Sequence, residues 1–199
     1  AYFKMTIYEE IDGSQTTQEM EFKNNSHSLD FSTSSSGVYT VTLKVIGTST
    51  GTTGNLVMSS DQSYINFVIL PQPELKVTDV QGVLNNQNLD VLPGELYWEK
   101  VSIDGNTALG YNIQIQKGKT TKTYDLGSKT SFNVPDDAGK YKISLQAYGD
   151  GGKIIDGQFS EPIEFEKLKA PTNVKISSDG VISWSSDYTG SLVNIRAGF

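Results

Sequence analysis

The chain has 199 residues, 36% of them hydrophobic, and a formal charge of −7, enough for one large or two small domains with modest cores. Its one Arg and scattered Lys form no basic stripe, which argues against nucleic acid and anionic membranes as partners. The absence of Cys excludes disulfides, thiolate zinc sites and Cys nucleophiles.

Period-two alternation and short apolar runs predict strands from one end of the chain to the other. In chain order these are Tyr2–Tyr8, Glu19–Phe22, Gly37–Thr48, Tyr64–Leu70, Leu75–Val80, Glu95–Glu99, Tyr111–Gln116, Thr123–Leu126, Ser131–Val134, Gly139–Asp150, Pro162–Phe165, Asn173–Ile176 and Val181–Trp184. Turn-forming stretches separate them at Ile11–Gly13, Val91–Gly94, Ile103–Asn106, Pro135–Gly139 and Ser177–Gly180. No stretch has the composition of a helix. No apolar run approaches the ~20 residues that cross a bilayer, and a secreted origin implies a leader that was removed or lies outside this sequence.

The pattern repeats. "GVYTVTLKVIGT" (Gly37–Thr48) matches "GKYKISLQAYGD" (Gly139–Asp150), with Tyr39, Val41, Leu43 and Val45 answering Tyr141, Ile143, Leu145 and Ala147. "LPQPELKV" matches "LKAPTNVKI", "GELYW" matches "GVISW", and Pro73 and Pro171 stand 98 residues apart, one sandwich domain. The order of Pro, strand, strand with Trp, loop, "YNIQI" and "G-x-Y-x-I-x-L-x-A" resembles fibronectin type III modules, above all the cysteine-free ones of bacterial surface proteins. The resemblance implies tandem immunoglobulin-like β-sandwiches, Trp on strand B, "YNI" on strand C and the "G-x-Y" run on strand F. It makes Tyr39 and Tyr141 tyrosine-corner residues, with Trp98, Tyr111 and Trp184 as further core positions. Three pieces follow: 1–72, a partial module with strands C to G; 73–169, a complete module; and 170–199, a partial module with strands A to C.

Half a sandwich exposes an apolar face and open edges. The end pieces are complementary, and three arrangements satisfy them: a longer protein supplies the missing strands, or successive chains pair end to end in a head-to-tail filament, or the ends pair within one chain.

Little here points to chemistry. His27 is the only histidine, lies near Asp30 and several serines, and lacks a nucleophile-elbow pattern. Glu9–Glu10 and Asp136–Asp137 are adjacent carboxylates, which point to opposite faces when on a strand. "GDGGKIIDG" (Gly149–Gly157) offers Asp150 and Asp156 as weak calcium candidates without a dedicated calcium-loop spacing; it reads first as a glycine-rich F–G hairpin. In the matching loop Gly47–Gln62, Asn55, Leu56 and Met58 are candidates for interaction. Tyr124, Tyr148 and Tyr188 are candidate sugar-stacking rings. Asn24–Ser26 is a glycosylation sequon. The expectation is a non-enzymatic, cofactor-free extracellular or cell-surface protein, acting as stalk, spacer or self-assembling adhesive element. The competing expectation is a carbohydrate- or protein-binding accessory module of a larger secreted enzyme.

Overall fold

The structure, a computed structural model, describes residues 1–23, 28–31, 34–47, 57–77, 95–135 and 137–187. Strands β1 (Tyr2–Ile11) and β2 (Ser14–Phe22) form a hairpin around Asp12-Gly13. Both turn residues take positive φ, 49° and 76°, the type I′ geometry whose twist suits the flanking strands. β3 (Gly37–Ile46) pairs antiparallel with β1, and β4 (Ser63–Ile69) with β3. The resulting sheet runs β2-β1-β3-β4.

The chain then crosses Leu70–Pro73 into a two-sheet sandwich. Its strands in chain order are β5 (Lys76–Val77), β6 (Glu95–Tyr97), β7 (Ser102–Ile103), β8 (Asn106–Thr107), β9 (Gly110–Lys117), β10 (Thr120–Asp125), β11 (Ser131–Asn133), β12 (Gly139–Tyr148), β13 (Ile154–Ile155) and β14 (Ile163–Lys167). One sheet runs β10-β9-β12-β14 and the other β11-β6-β5. Their inner faces bury Leu96, Trp98, Tyr111, Ile113, Ile143, Leu145 and Ala147. This is an immunoglobulin-like arrangement, with strands of the A, B and E type facing those of the C′, C, F and G type. Last comes a separate hairpin, β15 (Thr172–Ile176) with β16 (Ile182–Ser185). The described residues contain no helix, and no helix is long and apolar enough to cross a membrane.

The first sheet and the C-type sheet of the sandwich share one register. Tyr39 faces Glu9 and Phe67, as Tyr141 faces Lys117 and Phe165. Both tyrosines stack on the phenylalanine, with centroids 5.2 and 5.1 Å apart, and donate to the carbonyl four residues back, Ser35 and Asp137, at 2.8 Å each. These are the expected tyrosine corners. Ser60 and Ser160 add a second device of the same kind, displaced by two residues between the two sheets, that the sequence reading missed. Each hydroxyl accepts a β3 or β12 amide, from Val45 at 3.0 Å and from Leu145 at 3.1 Å.

The structure departs from expectation at two strand starts and at Trp184, and bears out the Ile103–Asn106 turn. β2 begins at Ser14 and β10 at Thr120, both earlier than predicted, because these edge strands carry polar residues on both faces and so lack alternation. The Ile103–Asn106 turn lies within a small hairpin, again of positive-φ Asp104-Gly105. Trp184, expected in a core, is 41% exposed, because no described residue forms a sheet over its hairpin. Tyr39, Trp98, Tyr111 and Tyr141 are buried.

Candidate functional site

The glycine-rich stretch Gly149–Gly157 is where the two sheet systems meet. Its centre, β13, leaves the sandwich and adds as a parallel strand to the edge of β4, with Ile154 beside Val68 and Ile155 beside Ile69. Val68 N donates to Lys153 O at 2.9 Å, and Leu70 N to Ile155 O at 3.1 Å. Successive strand residues point to opposite faces. Ile154 accordingly packs on the sandwich core, while Ile155 packs on the first sheet's cluster of Ile7, Tyr39, Phe67 and Ile69. Two residues thus contribute to two cores.

The glycines at either end are required by close approach. A Cβ on Gly149 would lie 2.0 Å from Ile154 O, and one on Gly157 would lie 2.6 Å from Leu70 O. Gly157 is also tied to the sandwich, donating to Ala147 O at 2.9 Å and accepting from Gln146 Nε2 at 2.9 Å. Leu70, the residue after β4, is buried in the sandwich core. The connection is therefore fixed from both sides, by Leu70 going one way and β13 returning the other.

Asp150 and Asp156, the calcium candidates, brace this loop. Asp150 Oδ1 accepts the Gly152 and Ile154 amides at 2.8 and 2.9 Å, and Asp156 Oδ1 accepts the Gly149 amide at 2.9 Å. The amides of Ile154 and Gly152 hold the Asp150 carboxyl below its usual 3.8. A lowered carboxyl stabilises the fold above the unfolded value, so this brace weakens as pH falls through the acid range. Among the described residues, no group of three or more His, Asp or Glu side chains is placed to hold a metal.

The other carboxylates named from sequence also have structural partners. Glu9 accepts the Tyr39 hydroxyl at 2.7 Å and the Thr16 hydroxyl at 3.0 Å, while Glu10 accepts Gln15 Nε2 at 2.9 Å. Burial first, then the Glu9 bond, push the Tyr39 phenol up from its usual 10.0. Asp137 pairs with Lys117, whose ammonium also lies 5.1 Å from the Tyr141 ring centroid. Met58 is 82% exposed. Tyr124 is exposed on edge strand β10, and Tyr148 donates to Asp125 Oδ1 at 3.1 Å. His27, Asn55, Leu56, Asp136, Tyr188 and the Asn24–Ser26 sequon lie wholly or partly outside the described residues.

Two apolar surfaces stand open. The first is one end of the inner face of the β2-β1-β3-β4 sheet, beyond the buried cluster of Ile7, Tyr39, Phe67 and Ile69. Leu43 is 38% exposed there, whereas its counterpart Leu145 is wholly buried, and Ile65 is 56% exposed. The second is one face of the β15–β16 hairpin. Ile176 pairs with Ile182, placing them on one side with Val174 and Trp184, while Lys175 and Ser183 take the other. A bulge between Thr172 and Lys175, with Asn173 at φ 55°, absorbs the one extra residue relative to the Pro73–Val77 segment. The apolar set Val174, Ile176, Ile182 and Trp184 then matches Leu75, Val77, Leu96 and Trp98 in order.

A cleft of about 810 Å³ lies along the unpaired part of the β4 edge, lined by Tyr64, Asn66, Asp104, Asn106, Asp150 and Lys153 among others. Sequence reasoning missed both this cleft and β13. The only signal for β13 was a pair of β-branched residues inside a polar glycine loop.

No protein-family profile matches the chain, and neither does any curated protein sequence. Among solved structures, the chicken CNTN1 FN1–FN3 domains align with it at 15% identity and a TM-score of 0.35, over 84% of this chain and 57% of that one.

Proposed function

We propose that this chain is a non-catalytic spacer of an extracellular or cell-surface protein, of the cysteine-free bacterial kind, whose work is to hold flanking parts at a set separation. The observation that carries this reading is β13, a segment of the sandwich's chain that hydrogen-bonds to the edge of β4 in the first sheet and joins two cores through Ile154 and Ile155. Domains joined only by a linker move independently by default. A shared strand opposes that motion at small cost in chain length. Of the carboxylates considered for catalysis or metal binding, Glu9, Glu10, Asp137, Asp150 and Asp156 brace turns and strands, which suits a mechanical part.

Backbone ¹⁵N relaxation on the dilute chain tests the reading. The β3 and β12 amides are expected to report one correlation time, and Ile155→Asp is expected to separate them into two shorter ones. Two correlation times in the unmodified chain would remove the support for a stiff spacer.

The cleft beside β4 favours a second reading, a carbohydrate-binding accessory module. Tyr64 is an exposed ring for stacking, with Asn66, Asp104 and Asn106 nearby as hydrogen-bonding groups. Clefts where domains meet are frequent ligand sites. Titration with neutral oligosaccharides, followed by the amide shifts of β4, distinguishes the two; shifts abolished by Tyr64→Ala would favour binding.

A further inference from the structure

The two open apolar surfaces are halves of something the chain already contains in complete form. In the sandwich, the inner face of β10-β9-β12-β14 is covered by β5, β6 and β11, with Leu96 and Trp98 buried to 1% and 2% exposure. The first sheet repeats the covered face residue for residue: Val41, Leu43, Met5 and Ile65 stand where Ile143, Leu145, Ile113 and Ile163 stand. The β15–β16 hairpin repeats the cover, yet Ile182 and Trp184, at the positions of Leu96 and Trp98, are 60% and 41% exposed. The intact module therefore shows what fits on the first sheet and where Trp184 belongs.

We propose that the β15–β16 hairpin of one copy of this chain seats on the β1–β4 sheet of a second copy, Trp184 taking the place that Trp98 has in the sandwich. This rests on the structural reading of the chain and names the partner as a second copy. The surfaces differ, so the contact is heterologous; each copy keeps one free sheet and one free hairpin, and the association extends head to tail instead of closing at two. Burial of apolar area drives it, and a Trp seated in a pocket is the kind of residue that dominates such contacts.

Sedimentation equilibrium of the full chain over a hundredfold range of concentration tests this. A mass that climbs through successive multiples of the monomer is expected. Trp184→Ala disables the hairpin and Leu43→Asp disables the sheet; either alone is expected to weaken association about thirtyfold or more and to leave a monomer. Trp184 and Leu43 are exposed, so the sandwich should stay folded in both variants, as its thermal transition will report. Mixed in equal amounts, the variants still hold one good sheet and one good hairpin between them. The mixture is expected to reach twice the monomer mass and stop.

A chain that stays monomeric throughout overturns the proposal. So does a ladder that either variant leaves intact, or a mixture that stays monomeric or grows past two. None of these outcomes alters the relaxation test of β13, so failure of assembly and failure of the spacer reading are separable.

Discussion

Two sheets in this chain have the same strand order, the same register and the same tyrosine corner, and differ in cover. In the sandwich Leu145 is fully buried; in the first sheet Leu43, at the same position, is 38% exposed. Strand alternation and corner chemistry therefore specify the sheet, but a second layer decides how much each apolar residue stabilises it. Deleting the same side chain should have different consequences in the two copies.

The widest separation is expected between the tryptophans. Trp98→Ala should cost about 3–5 kcal/mol in urea unfolding of the sandwich, as large aromatic deletions in cores do. Trp184→Ala in the dilute chain should stay within about 0.5 kcal/mol, as exposed substitutions do. Next come the leucines. Leu145→Ala should cost about 2–5 kcal/mol, and Leu43→Ala about 1 kcal/mol or less, because less of its surface leaves water on folding. Equal losses would mean that the first sheet is covered in the dilute chain.

Gly157→Val sharpens the comparison at the boundary between the copies. The new side chain would meet Leu70 O, so a loss of about 1–3 kcal/mol is expected, as for overpacking generally. It should appear as separated unfolding transitions of β3 and β12, followed by residue-specific NMR.

The smallest effect concerns Tyr39. Its single hydroxyl proton is shared between Glu9 and Ser35 O, and Tyr39→Phe should cost about 0.5–1.5 kcal/mol. The phenol's raised pKa makes its contribution complete below the unfolded value of 10.0, and progressively lost as pH rises above it. Stability of the first sheet should therefore fall on the alkaline side, and Tyr39→Phe should flatten that fall.

The all-β class and most strands were legible in the sequence because burying one face imposes period two on buried strands such as β3 and β12. Edge strands β2 and β10 were legible only in part, since polar residues on both faces erase the alternation. β13 was not legible: its two isoleucines serve opposite cores, and nothing in local sequence distinguishes that from a loop. The glycines at its ends are visible in the sequence as those of a glycine-rich hairpin, whereas close backbone approach is what requires them. Trp184 was read as core from the repeat, and its amphipathic strand is there; its burial depends on a layer that the described residues do not place over it.

Hydrogen exchange of the β3 and β12 amides, at low and at high chain concentration, tests the difference in cover most directly. β12 is expected to exchange slowly at both, while β3 exchanges faster in the dilute chain and slows toward the β12 rate as concentration rises. Equal protection of β3 and β12 in the most dilute sample would contradict it.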